Sequence, residues 1–405
     1  MERFQGLIGI ALIFALAIGI SRNRRHIKWR TLAVGLAMQV AFAFLVLKWE
    51  PGFKALSWVA SGLTSLINFT DKGTQFVFGG LLPTNNNGFV FALNVLPVIV
   101  FFGALIGALY YLRVIQLFVD IVGTGLQKLL GISKIEGVWA STVIFLGQTE
   151  APLMIAPYIR KLTKAELFTC MTGGFAAVAG STLIGYSLLG APLPYLLAAS
   201  VMNAPGSLIM AKALMPEMEE PEADANVRNV RDTESRNVID ALGNGALNGG
   251  RIAVCVACLL IAFIALIALV SAIIGGIGGW FGHPEWTLEG LFGVVLSPVA
   301  WVIGAPWEEA GLVGNFIGQK TVLNEFVGYT AFSQQVATLS PKAVLISSFA
   351  LAGFANFSSI AIQIGAFGSL VPERRGEVAK LGPLALLAGM CTNLLNAAIV
   401  GVVMS

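Results

Sequence analysis

The sequence predicts an all-α, polytopic membrane protein with about eight transmembrane helices and two re-entrant helical hairpins. Of the 405 residues, 56% are hydrophobic and only 12% are charged, whereas about a quarter of the residues in soluble domains are charged. A surface that faces water needs more charge than this. Apolar runs recur from one end of the chain to the other, and about 20 residues suffice for one crossing of a bilayer. A single helical membrane body therefore fits better than several soluble domains.

Eight apolar runs are interpreted as membrane spans: residues 7–20, 31–47, 89–112, 167–189, 193–215, 252–272, 343–370 and 381–404. The stretch 52–68 mixes apolar and polar residues, which is typical of a helix lying along the membrane interface. Basic residues concentrate in the loops 22–30, 160–164 and 374–380. By the positive-inside rule these loops are cytoplasmic, and eight spans with two hairpins satisfy this with both termini outside.

Two further apolar segments carry polar residues in their middle, and each is too short to cross the membrane twice. We interpret residues 134–162 and 297–332 as re-entrant hairpins whose tips end inside the protein, where irregular backbone is tolerated if it lines a cavity. Each hairpin is followed by two spans, so the two halves of the chain repeat one order of segments. Such inverted-repeat halves with interrupted helices indicate a transporter whose site lies near the middle of the membrane.

Two hairpin carboxylates, Glu150 and Glu325, indicate function most strongly. A carboxylate at membrane depth costs at least a few kcal/mol, and each of these two lies in mid-hairpin beside an amide, Gln148 or Asn324. We favour a role in binding a polar solute, ions or protons, because the two hairpins match. In the structural alternative, a buried carboxylate pairs with a helix end or with a lysine, and Lys320 is such a lysine near Glu325.

A second polar cluster lies within an otherwise apolar span and contains Asn356, Ser358 and Ser359. Hydroxyl groups often serve helix packing in membranes. An asparagine in mid-span is harder to explain in that way, because its amide can take part in four hydrogen bonds. We therefore expect a broken helix whose open backbone faces the same cavity, with Phe354 or Phe357 against lipid or the pocket.

Several other classes of function receive little support from the sequence. It has no Walker A motif, which ATP-driven transport would require. Its two histidines are too few for a histidine metal centre, and its small net charge of +3 gives little support to nucleic-acid binding. No nucleophile or metal ligand accompanies the two glutamates, as an intramembrane enzyme would require. A passive channel and a transporter of another polar solute, such as a sugar, remain open at this point.

Three motifs resemble those of the concentrative nucleoside transporters, in the same order and spacing: Gly147-Gln148-Thr149-Glu150-Ala151-Pro152, Asn324-Glu325-Phe326-Val327 and Phe354-Ala355-Asn356-Phe357-Ser358-Ser359. The resemblance extends over nearly the whole chain and is greatest to bacterial members. It implies secondary active, cation-coupled uptake of nucleosides across the bacterial cytoplasmic (inner) membrane. It also implies a homotrimer in which each protomer moves its own transport domain like an elevator past a scaffold.

On this resemblance the chain divides into five parts. Residues 1–112 are scaffold and interfacial helices, 113–215 and 286–405 are the two halves of the transport domain, 216–251 are a polar cytoplasmic loop, and 252–285 are a further scaffold helix. The implied partners are the nucleoside, a coupling cation and membrane lipid. No cofactor, resident metal or nucleic acid is expected.

The resemblance also implies a role for each site residue. Gln148, Thr149 and Glu150 would bond the nucleobase, with Thr182 against it. Ribose contacts would come from Glu325, Asn356 and Ser359, with Phe354 close by; carboxylates and amides suit hydroxyl groups and base edges. Gly147, Gln148, Ser181 and Thr182 hold positions that tune purine against pyrimidine preference, and Gln148 with Ser181 is of the pyrimidine-accepting or broad type.

One departure from the family pattern concerns the coupling ion. Where the resemblance implies side-chain oxygens for sodium, this sequence has Val143 and Ala177, and a hard cation needs oxygen ligands. We therefore expect proton coupling, with sodium coupling as the alternative. Glu150 or Glu325 would take the proton, because burial favours the neutral form of a carboxyl group.

Overall fold

The computed structural model describes residues 2–79, 90–221, 232 and 235–404, with side chains from residue 5 onward. Residues 222–231, 233 and 234 of the predicted polar loop and the first residue of the predicted span 89–112 lie outside these residues. The described part of the chain is helical and contains no strand.

The helices of the first half are α1 Glu2–Ile20, α2 Trp29–Ala43, α3 Glu50–Phe78, α4 Phe91–Asn94, α5 Leu96–Tyr111, α6 Val114–Leu130, α7 Lys134–Thr142, α8 Ala151–Ile155, α9 Lys164–Ala176, α10 Gly180–Leu188 and α11 Leu193–Leu214. Those of the second half are α12 Val238–Trp280, α13 Leu288–Val302, α14 Trp307–Val322, α15 Glu325–Gln335, α16 Pro341–Leu351, α17 Phe357–Leu370 and α18 Arg375–Val403. A π-helical turn extends α2 to Lys48, and a 3-10 segment, Ala156–Lys161, follows α8.

Within the described residues, six helical stretches are long and apolar enough to cross a membrane: Trp29–Lys48, Phe91–Tyr111, Lys164–Leu188, Leu193–Leu214, Val238–Trp280 and Pro372–Val403. Each corresponds to one of the predicted spans. The remaining two predicted spans correspond to shorter apolar helices, namely Gln5–Ile20 and the successive pair α16 and α17. The all-α, polytopic fold class is confirmed.

The two halves repeat one pattern, which consists of a hairpin, a broken helix and a long helix. In the first half these are α7 with α8, α9 with α10, and α11. In the second half they are α14 with α15, α16 with α17, and α18. The two hairpins overlap the predicted segments 134–162 and 297–332, and the expected break near Asn356 separates α16 from α17.

Three boundaries differ from the sequence prediction. The span 167–189 is one predicted helix, but the chain unwinds between Ala176 and Gly180. The second hairpin begins at Trp307 rather than residue 297, because α13 and α14 meet at a 114° bend where Gly304 has φ of +112°. The polar loop ends before residue 251, because α12 already begins at Val238, capped by the side chain of Asn237.

Amide side chains connect the two helix breaks. Asn203 of α11 donates to the carbonyl of Ala352, at the break of the second half, over 3.0 Å. Asn393 of α18 donates to the carbonyl of Ala176, at the break of the first half, over 3.1 Å. These carbonyls lie at helix ends that lack an intrahelical partner. Each half therefore completes the backbone hydrogen bonding of the other.

A buried lysine lies at the same crossing. The ammonium of Lys320 donates to Asn393 Oδ1 over 2.8 Å and to the carbonyl of Ala350 over 3.3 Å. Its donors therefore go to the end of α16 and to α18. Ammonium groups are favourable at the negative end of a helix dipole, which explains a cation at this depth. The alternative in which Lys320 pairs directly with Glu325 is not what the side-chain contacts show.

The three basic loops lie at one end of the molecule, where Thr163 also donates its hydroxyl to Glu217, just after α11, over 3.0 Å. Arg374 donates to the carbonyls of Ile159 and Leu162 over 2.8 and 2.7 Å. Arg22 donates its backbone N–H to the carbonyl of Leu214 at the end of α11, over 3.0 Å. This shared end agrees with the cytoplasmic side that the positive-inside rule assigns.

Helices α5 and α12 pack with their backbones almost in contact. Gly103 and Gly107 of α5 face Gly245 and Gly249 of α12, and a Cβ added at Gly103 would come within 2.7 Å of the Gly245 carbonyl. Glycine pairs of this kind allow close helix packing in membranes. The two helices form one wall beside the hairpins and helix breaks.

Candidate functional site

A cavity of about 170 Å³ lies where the two hairpin tips and the two helix breaks meet. Its polar lining comes from those four segments, and Ile252, Cys255, Val256 and Leu259 of α12 form its apolar side. The remaining lining residues are Gly147, Gln148, Thr149, Glu150, Ala179, Thr182, Asn324, Glu325, Phe326, Phe354, Asn356, Ser358, Ser359 and Ile362. We call this space the inner cavity.

Helix N-termini point their partial positive charge toward the inner cavity. Helices α10, α15 and α17 all begin at its edge. Asn324 caps α15 by accepting from the N–H of Val327 over 3.1 Å, and Asn356 caps α17 by accepting from the N–H of Ser359 over 2.9 Å. Asparagine is a strong N-cap residue because its oxygen satisfies an unpaired N–H. Negative or polar groups are favoured at such helix ends.

Glu325 is held in a fixed position by donors from two other elements. Its side chain is 5% exposed. Tyr186 donates its hydroxyl to Oε1 over 3.1 Å, and Asn356 donates its amide to Oε2 over 2.8 Å. A carboxylate has about four acceptor positions, so each oxygen can accept a further hydrogen bond. Glu325 can thus accept from a hydroxyl group of a bound molecule.

A chain of amides joins the first hairpin to the second broken helix. Gln148 donates to Ser359 Oγ over 2.8 Å, and Gln363 donates to Gln148 Oε1 over 3.3 Å and to the carbonyl of Met171 over 3.1 Å. Gln148 of the first half is thereby fixed by two residues of α17 in the second half. Its amide group can offer a donor and an acceptor to a planar, heteroatom-rich molecule.

Glu150 has a more open environment. The N–H of Gly147 donates to its Oε2 over 3.3 Å, and its side chain is half-buried. Glu150 and Ile252 also line a second space of about 530 Å³, which extends toward Asp232 and Ser235 near the start of α12. We call this second space the vestibule. Glu150 therefore lies between the inner cavity and the vestibule.

Nine of the ten predicted site residues line the inner cavity: Gly147, Gln148, Thr149, Glu150, Thr182, Glu325, Phe354, Asn356 and Ser359. The tenth, Ser181, lines the vestibule instead. The roles of all ten in binding stay predictions. Their convergence from segments more than 200 residues apart is a property of the fold.

Sequence reasoning missed Tyr186 and Gln363, which hold site residues in position. Each lies one helical turn after a predicted site residue, Tyr186 after Thr182 and Gln363 after Ser359. Residues four apart share a helix face, and this spacing is the signal that could have found them. The apolar side formed by α12 was also missed, because the predicted span 252–272 has no charged or amide side chain that would mark a site.

The two positions that the family resemblance associates with sodium binding hold apolar, buried side chains. Val143 is 2% exposed and Ala177 is fully buried. The Ala177 carbonyl accepts from the N–H of Phe354 over 3.1 Å, and the Phe145 carbonyl accepts from the N–H of Gly180 over 2.9 Å. Backbone hydrogen bonds thus close this junction. Over the residues for which the structure gives positions, no group of three or more histidine, cysteine or acidic side chains could hold a metal ion.

Three family models match the chain. Residues 195–401 match the C-terminal model of the Na⁺-dependent nucleoside transporters, and residues 8–81 match the N-terminal model. A nucleoside recognition model matches residues 92–193. The matched segments include both hairpins and both helix breaks.

Two relatives and one solved structure illustrate its similarity to known proteins over nearly the whole of both chains. An uncharacterized transporter of Bacillus subtilis, YutK, is 50% identical over 99% of both chains. The nucleoside permease NupC of Helicobacter pylori is 41% identical over 98% of this chain and 96% of its own. The structure of CNTnw in an inward-facing, substrate-bound state matches with a TM-score of 0.95 and 46% identity, covering 100% of this chain and 98% of that one.

These likenesses and the apolar helices identify a multi-pass protein of the bacterial inner membrane with an elevator-type transporter fold. It is a transporter and not an enzyme. The chain belongs to the concentrative nucleoside transporters, the family that the models describe as Na⁺-dependent nucleoside transporters.

Proposed function

We propose that this member of the family accumulates nucleosides by proton symport, with each protomer of a homotrimer carrying its own site. The observation that carries the proposal is the pairing of an apolar Val143 and Ala177 with two cavity carboxylates, Glu150 and Glu325. The chain lacks side-chain oxygens at the two positions tied to sodium, yet it keeps acidic groups that can bind a proton. The descriptions of the family models name sodium, so sodium symport is the competing function.

The nucleoside would lie across the inner cavity between the two halves. Gln148, Thr149 and Glu150 would meet the base, with Thr182 against it. At the other end, Glu325, Asn356 and Ser359 would bond the ribose, with Phe354 beside it. The hydrogen bonds of Glu325 and Gln148 support this orientation, because a carboxylate accepts from hydroxyl groups while an amide matches the edge of a base.

Glu150 is the better candidate for the coupling proton. It borders both the inner cavity and the vestibule, so water can reach it from the cytoplasmic side. Glu325 is nearly enclosed and already accepts two hydrogen bonds from side chains. A carboxyl group that must gain and lose a proton in each cycle needs access to water, which favours the more open one.

Uptake of labelled uridine and adenosine into proteoliposomes tests the coupling ion. Purified protein is assayed under an inward proton gradient without sodium, an inward sodium gradient at equal pH, both gradients and neither. We expect accumulation only where the proton gradient is present, and its loss on adding a protonophore. Accumulation driven by sodium at equal pH contradicts the proposal. Entry without accumulation under all four conditions would instead indicate a passive channel.

Adding oxygen ligands at positions 143 and 177 tests whether these two positions decide the coupling ion. The double variant Val143→Asn, Ala177→Ser supplies two side-chain oxygens, and we expect sodium to stimulate its uridine uptake. Ala176→Ser, with the new hydroxyl one residue away, is the matched control and should stay insensitive to sodium. A double variant that folds and remains insensitive would show that these two positions do not decide the coupling ion.

The homotrimer is tested by light scattering, which measures the molar mass of the detergent-solubilised protein.

A further inference from the structure

A fully buried pair of tyrosines lies directly behind the inner cavity. Tyr186 of α10 and Tyr329 of α15 stack with ring centroids 4.5 Å apart and an interplanar angle of 18°. The ring of Phe326 packs edge-on against Tyr186 at 4.7 Å. Both tyrosine side chains have no solvent exposure, and neither is among the residues that line the cavity. The pair joins the first broken helix to the second hairpin.

The hydroxyl groups of this pair have different partners. Tyr186 donates to Glu325 Oε1 over 3.1 Å, whereas Tyr329 donates to the carbonyl of Ser348 over 3.0 Å. The ring of Tyr186 is fixed by stacking, so its hydroxyl has a defined position. Asn356, the second donor to Glu325, itself lines the cavity. Tyr186 does not line the cavity, so it can act on a bound molecule only through its partners there, Glu325 and Thr182.

We propose that Tyr186 is a positioning residue for sugar recognition: its hydroxyl fixes the Glu325 carboxylate so that a free acceptor position on this group meets a ribose hydroxyl. The inference rests on the proposed function, in which Glu325 binds the ribose. Without the Tyr186 hydroxyl, the carboxylate keeps one donor and can rotate, so a substrate hydroxyl meets a less ordered acceptor. Discrimination between ribonucleosides and their deoxy analogues then decreases.

The test compares Tyr186→Phe with Tyr329→Phe, since each removes one buried hydroxyl from the same stack. The KM values of uridine, 2′-deoxyuridine and 3′-deoxyuridine are measured in proteoliposomes. In Tyr186→Phe we expect the KM of uridine to rise roughly tenfold, as for loss of a hydrogen bond to a charged group, and the KM of the less favoured deoxy analogue to rise less. Tyr329→Phe should keep the wild-type ratio of the KM values. An unchanged ratio in Tyr186→Phe, or an equal change in both variants, overturns the proposal.

A second comparison uses the double variant Tyr186→Phe, Glu325→Gln, in which an amide replaces the carboxylate that Tyr186 holds in wild-type protein. Its uridine affinity, measured by binding of labelled uridine to purified protein, should equal that of Glu325→Gln alone, because Tyr186 acts through the carboxylate. A further loss of affinity would show a role independent of Glu325 and overturn the proposal. If wild-type protein binds uridine and both deoxy analogues equally, the ribose role of Glu325 fails, and that result is separate from a failure of Tyr186.

Discussion

The two halves of the molecule bring a glutamate to the same cavity but surround it differently. In the first half, Glu150 accepts from one backbone N–H and borders the vestibule. In the second half, Glu325 accepts from Tyr186 and Asn356 and is nearly enclosed. An open carboxyl group can exchange protons, whereas a fixed carboxylate can recognise a hydroxyl group. The repeated fold thus provides two similar positions that can serve different tasks.

The largest effect is expected when the fixed carboxylate is changed. Glu325→Gln replaces an acceptor-only group by an amide, and one oxygen that accepts from Tyr186 or Asn356 becomes a donor. Charged hydrogen bonds contribute about 1.5–3 kcal/mol each, so uridine uptake should decrease about a hundredfold or more. Initial rates of uptake measure this, and Glu50→Gln on the exposed surface is the control. Transport at the wild-type rate would remove Glu325 from both binding and coupling.

The two asparagines that connect the helix breaks, Asn203 of the first half and Asn393 of the second, should also differ in how much they stabilise the fold. Asn393→Ala deprives Lys320 of an acceptor and Ala176 of a donor, and each buried polar group left unpaired costs about 1–3 kcal/mol. In Asn203→Ala, the Asn396 amide loses its acceptor, but the Ala352 carbonyl still accepts from Asn393 over 2.9 Å. We therefore expect the larger decrease in Tm for Asn393→Ala, measured by thermal unfolding in detergent. Equal decreases, or the reverse order, would mean that Lys320 adds nothing to this crossing.

The smallest of the three effects concerns the open carboxyl group. Glu150→Gln cannot bind a proton, so it should lose accumulation while still exchanging bound for free nucleoside. One pH unit corresponds to about 1.36 kcal/mol, so wild-type protein with one proton per nucleoside accumulates substrate about tenfold under that gradient. Counterflow in the absence of a gradient reports exchange. Full accumulation by the variant would assign the proton to another group.

The sequence predicted the architecture well, because the required signals are local. Low charge, long apolar runs and polar residues within apolar segments suffice to find the spans, the hairpins and part of the cavity lining, namely Gln148, Glu150, Asn324, Glu325, Asn356, Ser358 and Ser359. Gly147, Thr149 and Thr182 were assigned through family resemblance, and they line the cavity too. The break that ends at Asn356 was also found, because an asparagine in mid-span needs partners. Ser181 was assigned through family resemblance, and its side chain lies in the vestibule because it precedes Thr182 on α10 and points to another face.

The features that were missed depend on contacts between distant parts of the chain. Residues 175–179 are uniformly apolar or small, so nothing local interrupts the helix there. The unwound backbone is instead satisfied by Phe354, which donates to the Ala177 carbonyl, and by Asn393. Tyr186 likewise reads as an ordinary aromatic residue in a span until Glu325 is placed beside it.

The exchange of amides between the halves has a consequence for biosynthesis. The carbonyl of Ala176 obtains its side-chain donor from Asn393, which follows 217 residues later in the chain. A membrane chain enters the bilayer in order of synthesis, so α9 arrives long before α18. The first half must therefore wait, with an incomplete helix end inside the membrane, until the final helix is inserted. A ribosome that stops before α18 leaves a protein that has every residue of the first half but not its finished fold.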